Sequence, residues 1–144
     1  MGQDSDDQTV AVILKSQIGY ERIAMECSTA FAHMFGCSPA RIEDLKTVVA
    51  EAIINAVQHG NKERPDAKVI VYLGFKDNAI NVQVIDEGGG IKKIPPKPNI
   101  ERIMDNLDPP VGFGTFLIEQ LSDSVEFNHM TDEGHGVKIS IRVS

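Results

Sequence analysis

Ser38-Pro39 opens a long amphipathic stretch that the spacing predicts as one helix to Gln58, closed by Gly60. Serine is a strong N-cap, proline suits the first helical position, and glycine ends helices cheaply. Ile42, Leu45, Val48, Val49, Ala52, Ile53, Ala56 and Val57 recur at three- and four-residue steps, giving a wide apolar face that needs an equally wide partner. Glu51, Asn55 and His59 stand four apart, on a separate stripe of the same cylinder. Polar groups aligned beside a buried face are placed to line a cleft.

The partner is legible downstream. Lys68–Phe75 and Ile80–Asp86 are strand-like, the second alternating apolar with polar residues, and Lys76-Asp77-Asn78-Ala79 between them suits a hairpin turn. Ser124–His129 and Val137–Arg142 form a second pair around Asp132–Gly136, and β-branched Thr9–Leu14 suits an edge strand. From Gly19 to Phe35, the residues Ile23, Ala24, Cys27, Ala30, Phe31 and Met34 predict a further helix buried on that face, stopped by Gly36. Phe116, Leu117, Ile118 and Leu121 suit a short helix after Gly114. The stretch Lys92–Pro110 holds five prolines and reads as a lid, at about 91–111. The expected order is therefore β-α-α-β-β-lid-α-β-β. The fold class is α+β, a two-layer α/β sandwich with a mainly antiparallel sheet and helices on one face.

With 144 residues, 42% of them hydrophobic, the chain is expected to form a single domain over residues 9–144, preceded by a disordered acidic tail at 1–8. A net charge of −7 argues against the basic footprint that nucleic-acid binding requires. No apolar run reaches the length needed to cross a bilayer, and Met1–Asp7 is the reverse of a basic leader, so a cytoplasmic protein is expected. Cys27 and Cys37 lack metal-ligand spacing and are expected to be reduced, structural thiols.

Three blocks carry chemistry. The Asn55 amide oxygen suits a hard cation such as Mg²⁺, and Glu51, one turn earlier, suits a general base. Asp86 ends a strand before Glu87-Gly88-Gly89-Gly90-Ile91, where a carboxylate could accept a hydrogen bond from the adenine amine while glycines let the ring approach. Gly112-Phe113-Gly114-Thr115 opens a helix, whose free N–H groups attract phosphate. Singly, each block also fits an ordinary reading: a solvated glutamate, a glycine-rich turn, a loop before a helix. Their order and spacing set them apart from those.

Taken together, Glu51-Ala52-Ile53-Ile54-Asn55-Ala56-Val57-Gln58-His59-Gly60 resembles the N box of the GHKL (Bergerat-fold) ATPase superfamily. Asp86–Ile91 resembles its first glycine box and Gly112–Ile118 its second. Within that superfamily the chain is similar, from about Thr9 to Val143, to bacterial anti-sigma-factor serine kinases of the RsbW and SpoIIAB type. The resemblance implies ATP and Mg²⁺ as cofactors, Asn55 as the metal ligand, and Glu51 as the catalytic carboxylate. It implies nucleotide contacts from His59, Asp86, Gly88, Gly90, Ile91, Gly112, Phe113, Gly114 and Thr115, and partner contact near Arg22. It further implies a homodimer that phosphorylates a STAS-domain antagonist and otherwise holds a sigma factor. Relatives often carry a basic residue just before the second glycine box, where this chain has Asp108-Pro109-Pro110-Val111. That difference keeps open an alternative, a nucleotide-sensitive sequestering module with little catalysis.

Overall fold

The computed structural model describes residues 10–88 and 113–144. The elements in chain order are β1 (Val10–Lys15), α1 (Glu21–Met34), α2 (Pro39–Asn55), a π-helical turn (Ala56–Gly60), β2 (Lys68–Lys76), β3 (Ala79–Asp86), α3 (Phe113–Leu121), β4 (Ser124–Thr131) and β5 (Gly134–Arg142). The acidic tail and the lid lie outside the described residues.

The strands form one antiparallel sheet in the order β1-β2-β3-β5-β4, with β1 at an edge. Side chains on a strand alternate between faces. Val69, Val71 and Leu73 of β2, Val82 and Val84 of β3, and Ile139 and Ile141 of β5 therefore share one face, and all are buried. Against them pack Ile42, Leu45, Val48, Val49, Ala52 and Ile53 of α2, with Ile118 of α3 and Phe31 of α1 joining the same core. The opposite face carries Lys68, Tyr72, Asn81, Gln83 and Lys138, which are exposed or half-buried. Leu45 is 0% exposed at the centre of this layer. Leu45→Ala is expected to lower stability by about 2–5 kcal/mol, the transfer and cavity cost of a large-to-small core change, read from urea unfolding.

Local signals explain the boundaries. The Ser38 side chain accepts a hydrogen bond from the Arg41 N–H at 3.3 Å, capping α2 behind Pro39. Asp77 and Asn78 take φ of 54° and 62°, the left-handed pair a two-residue hairpin needs and that Asp and Asn tolerate well. The Arg41 guanidinium fastens the start of α2 to the far end of α3, meeting Asp44 at 2.8 Å and Asp123 at 2.6 Å.

Two expectations are corrected. In α1 the buried residues are Ala24, Ser28, Phe31 and Ala32, while Ile23 and Met34 stand 49% and 75% exposed and Ala30 is exposed too. The helix turns its small residues inward, and Ser28 satisfies its hydroxyl by donating to the Ala24 carbonyl at 2.7 Å, which makes a buried serine tolerable there. Helix α2 ends its regular winding at Asn55, three residues before Gln58, and passes into the π turn.

Candidate active site

Glu51 and Asn55 lie one turn apart on the last stretch of α2, both half-buried, so their side chains leave the helix on one side. The first turn of α3 meets them there. A Cβ at Gly114 would stand 2.7 Å from Glu51 Oε1, so a side chain there would push the glutamate carboxylate aside, while Asn55 Oδ1 at 3.6 Å would be in ordinary contact. Phe113, Gly114 and Thr115 open α3, where N–H groups lack intrahelical partners and the helix presents its positive end. Burial pushes the Glu51 carboxyl above the ordinary range, which makes its anion a better proton acceptor.

A second polar centre forms where β3 ends. Asp86 is buried on the core-facing side of the sheet, and its Oδ1 accepts the Gly88 N–H at 2.8 Å. Two glycines make this possible by close approach. A Cβ on Gly60 would overlap the Asp86 carboxylate, and one on Gly88 would overlap the Gly60 carbonyl. The π turn therefore ends pressed against the first glycine box. Burial pushes the Asp86 carboxyl upward, and the Gly88 N–H, His135 and Arg64 each pull it back. His135 pairs with Asp86 across β3 and β5, and its Nδ1 lies 3.1 Å from the Gly88 carbonyl oxygen.

The loop after the π turn is drawn inward. Asn61 is 0% exposed, while Lys62 and Glu63 behind it take φ of 52° and 58°. Two successive non-glycine residues in the left-handed region cost about 1–2 kcal/mol each, so neighbouring contacts must hold them.

Of the residues singled out in the sequence, the structure brings Glu51, Asn55 and Gly114 together at one end and Asp86 with Gly88 at the other. Thr115 is buried in the first turn of α3 beside Gly114, and Phe113 stacks edge-on with Phe116 at 5.9 Å. His59 is exposed and sits in the π turn, whose wider winding means that a four-residue step from Asn55 no longer returns to the same line. Gly90, Ile91 and Gly112 lie outside the described residues. Arg22 is exposed on the first turn of α1, next to exposed Ile23. His135 and Asn61 were not singled out by the sequence. The signal for His135 is strand register, which sets it opposite Asp86; a lone asparagine after a glycine carries none.

An amide oxygen next to a half-buried carboxylate suits Mg²⁺, which takes few protein ligands and keeps waters and phosphate oxygens. Among the described residues no group of three or more His, Cys, Asp or Glu side chains could hold a metal by itself. No helix among them is long and apolar enough to cross a membrane.

Comparison with known proteins bears on the family and the fold. The family described as the histidine kinase-like ATPase domain matches residues 15–141. Over 119 residues the chain is 31% identical to a serine-protein kinase RsbW of Oceanobacillus iheyensis, covering 76% of this chain and 72% of that relative. It is 28% identical over 142 residues to an anti-sigma F factor of Clostridium beijerinckii, covering 94% of each. A solved structure of RsbU and RsbW domains from Mycobacterium tuberculosis shares the fold, with a TM-score of 0.64 at 17% identity over 92% of this chain. This chain spans 31% of that longer one.

Proposed function

The chain belongs to the histidine kinase-like ATPase family, and from that premise we propose that it is an ATP- and Mg²⁺-dependent protein-serine kinase of a partner-switching regulator. The observation that carries the reading is the convergence of Glu51 and Asn55 on Gly114 at one end, with Asp86 walled by Gly60 and Gly88 at the other. Two polar centres of different chemistry suit the two ends of a nucleotide.

In this reading Asp86 accepts the adenine amine, and the opening N–H groups of α3 at Phe113, Gly114 and Thr115 receive phosphate oxygens. Asn55 would hold Mg²⁺, which supplies charge neutralisation on the phosphates. Glu51 takes the proton from a substrate serine as its Oγ bonds to the γ-phosphorus. The bond from that phosphorus to the β–γ bridging oxygen breaks, and ADP leaves. Phosphoryl transfer leaves the protein little covalent work, so positioning and electrostatics account for the rate. The substrate class is a STAS-domain antagonist, and the sequestered partner is a sigma factor, held by a cytoplasmic homodimer with Arg22 at the contact. The names of the relatives, a serine-protein kinase and an anti-sigma F factor, support the kinase and sigma-factor parts of this reading.

Incubation with labelled ATP, Mg²⁺ and a cognate STAS-domain protein should yield phosphoserine on that protein. ATP binding without transfer to any STAS substrate would favour the second reading, a sequestering module, which Asp108-Pro109-Pro110-Val111 in place of a basic residue motivates. That module would retain a sigma factor in pull-downs while leaving the antagonist unmodified.

A further inference from the structure

We propose that Asn61 is a positioning residue that fixes the adenine end of the site by holding the main chain at Glu87, between Asp86 and Gly88. The inference rests on the reading of Asp86 as the adenine acceptor.

The Asn61 side chain is fully buried and spends its hydrogen bonds on three separate segments. Its Nδ2 donates to Ser16 Oγ at 3.0 Å, just beyond β1, and to the Lys68 carbonyl at 2.9 Å, where β2 starts. Its Oδ1 accepts the Glu87 N–H at 2.7 Å. The Glu87 side chain is exposed, so what Asn61 grips is backbone. That grip falls on the peptide directly after the Asp86 carboxylate. The next N–H, from Gly88, is the one Asp86 Oδ1 accepts, and the Gly88 carbonyl oxygen faces His135.

The main chain of Asn61 is anchored as well. Its N–H donates to the Ala56 carbonyl at 2.7 Å, and its carbonyl accepts from Arg64 N–H and Nε, each at 3.1 Å. Asn61 directly follows Gly60, where any Cβ would overlap the Asp86 carboxylate. One residue thus links the π turn, the end of β1, the start of β2 and the glycine turn. An amide is the side chain suited to this task, since it offers two donors and an acceptor without charge. A leucine, with the same branching, would leave the Glu87 N–H and the Lys68 carbonyl without these partners.

A residue that acts on the Asp86 turn should govern recognition of the base and leave recognition of the phosphates alone. The test is calorimetry with ATP, GTP and inorganic tripolyphosphate, each with Mg²⁺, on the parent, Asn61→Ala and Ser16→Ala. Expected is a loss of about tenfold in the ATP-over-GTP preference for Asn61→Ala, with tripolyphosphate affinity unchanged. Ser16→Ala, which spares the Glu87 contact, should keep the preference. Equal losses for ATP and tripolyphosphate, or an equal loss of preference in Ser16→Ala, would show a purely structural role and overturn the proposal. A parent without any preference for ATP would remove the adenine reading and this inference together, whereas a preference retained in folded Asn61→Ala removes the inference alone. Should Asn61→Ala fail to fold, amide hydrogen exchange in the parent decides: the Glu87 N–H should be protected despite its exposed side chain, and free exchange there overturns the proposal.

Discussion

Glu51→Gln should slow phosphoserine formation by about 10²–10⁴-fold, the range a positioned general base supplies, while nucleotide affinity stays close to that of the parent. The glutamine keeps the shape of the side chain and the clearance over Gly114, and loses only the ability to take a proton. The parent should also show a pH signature. Burial raises the Glu51 pKa, so the carboxylate is still partly protonated above the ordinary glutamate range, and transfer should accelerate as pH rises through the raised value. In Glu51→Gln that rising limb should vanish. Single-turnover transfer at saturating ATP across about pH 5 to 8 reads both effects, because saturation separates chemistry from binding. A glutamine variant that transfers phosphate at the parental rate would exclude Glu51 as the base.

Asp86→Asn should trade function for stability. The amide replaces an acceptor oxygen by a donor toward the base, so ATP affinity should fall by about tenfold to a hundredfold, the weight of one or two hydrogen bonds to a charged group. Free of ligand, the variant should be more stable than the parent at neutral pH. The sign follows from the direction of the shift. Burial, the largest cause, raises the folded pKa of Asp86 above its unfolded value, against the smaller opposing pulls of Gly88, His135 and Arg64. The folded protein then binds more protons through that window, so the stability contributed by this group is complete below the unfolded pKa and lost as pH rises through the folded one. Urea unfolding should therefore show a gain for Asp86→Asn of about 0.5–2 kcal/mol at neutral pH, shrinking as the pH is lowered. A variant that binds ATP like the parent, or is less stable than it at every pH, would contradict the assignment.

The layer architecture could be read from periodicity because it rests on repeating patterns. The α2 face repeats over four turns, and the hairpin residues Asp77 and Asn78 are types that tolerate the left-handed conformation found there. What periodicity could not convey was choice between near-equivalent faces. In α1 a hydrophobic criterion favours Ile23 and Met34, yet close packing against α2 favours Ala24 and Ser28, because small side chains let the helices approach and the serine hydroxyl finds a local acceptor. The candidate site divides along the same line. Glu51, Asn55 and Asp86 could be named as candidates because their side chains fall within short, ordered motifs. The interlock of Gly60 with Asp86 and the grip of Asn61 on Glu87 depend on contacts between segments 26 residues apart, which no local pattern encodes.

The π turn at Ala56–Gly60 sets a limit on how this chain can vary in length. A wound-in additional residue shifts the rotational phase of everything behind it, and here it delivers Gly60 onto the carboxylate that terminates β3. Trimming one position between Asn55 and Asn61 would let the coil relax into ordinary winding and swing that contact out of alignment. Length in this segment is thus constrained as tightly as residue type is at Gly60.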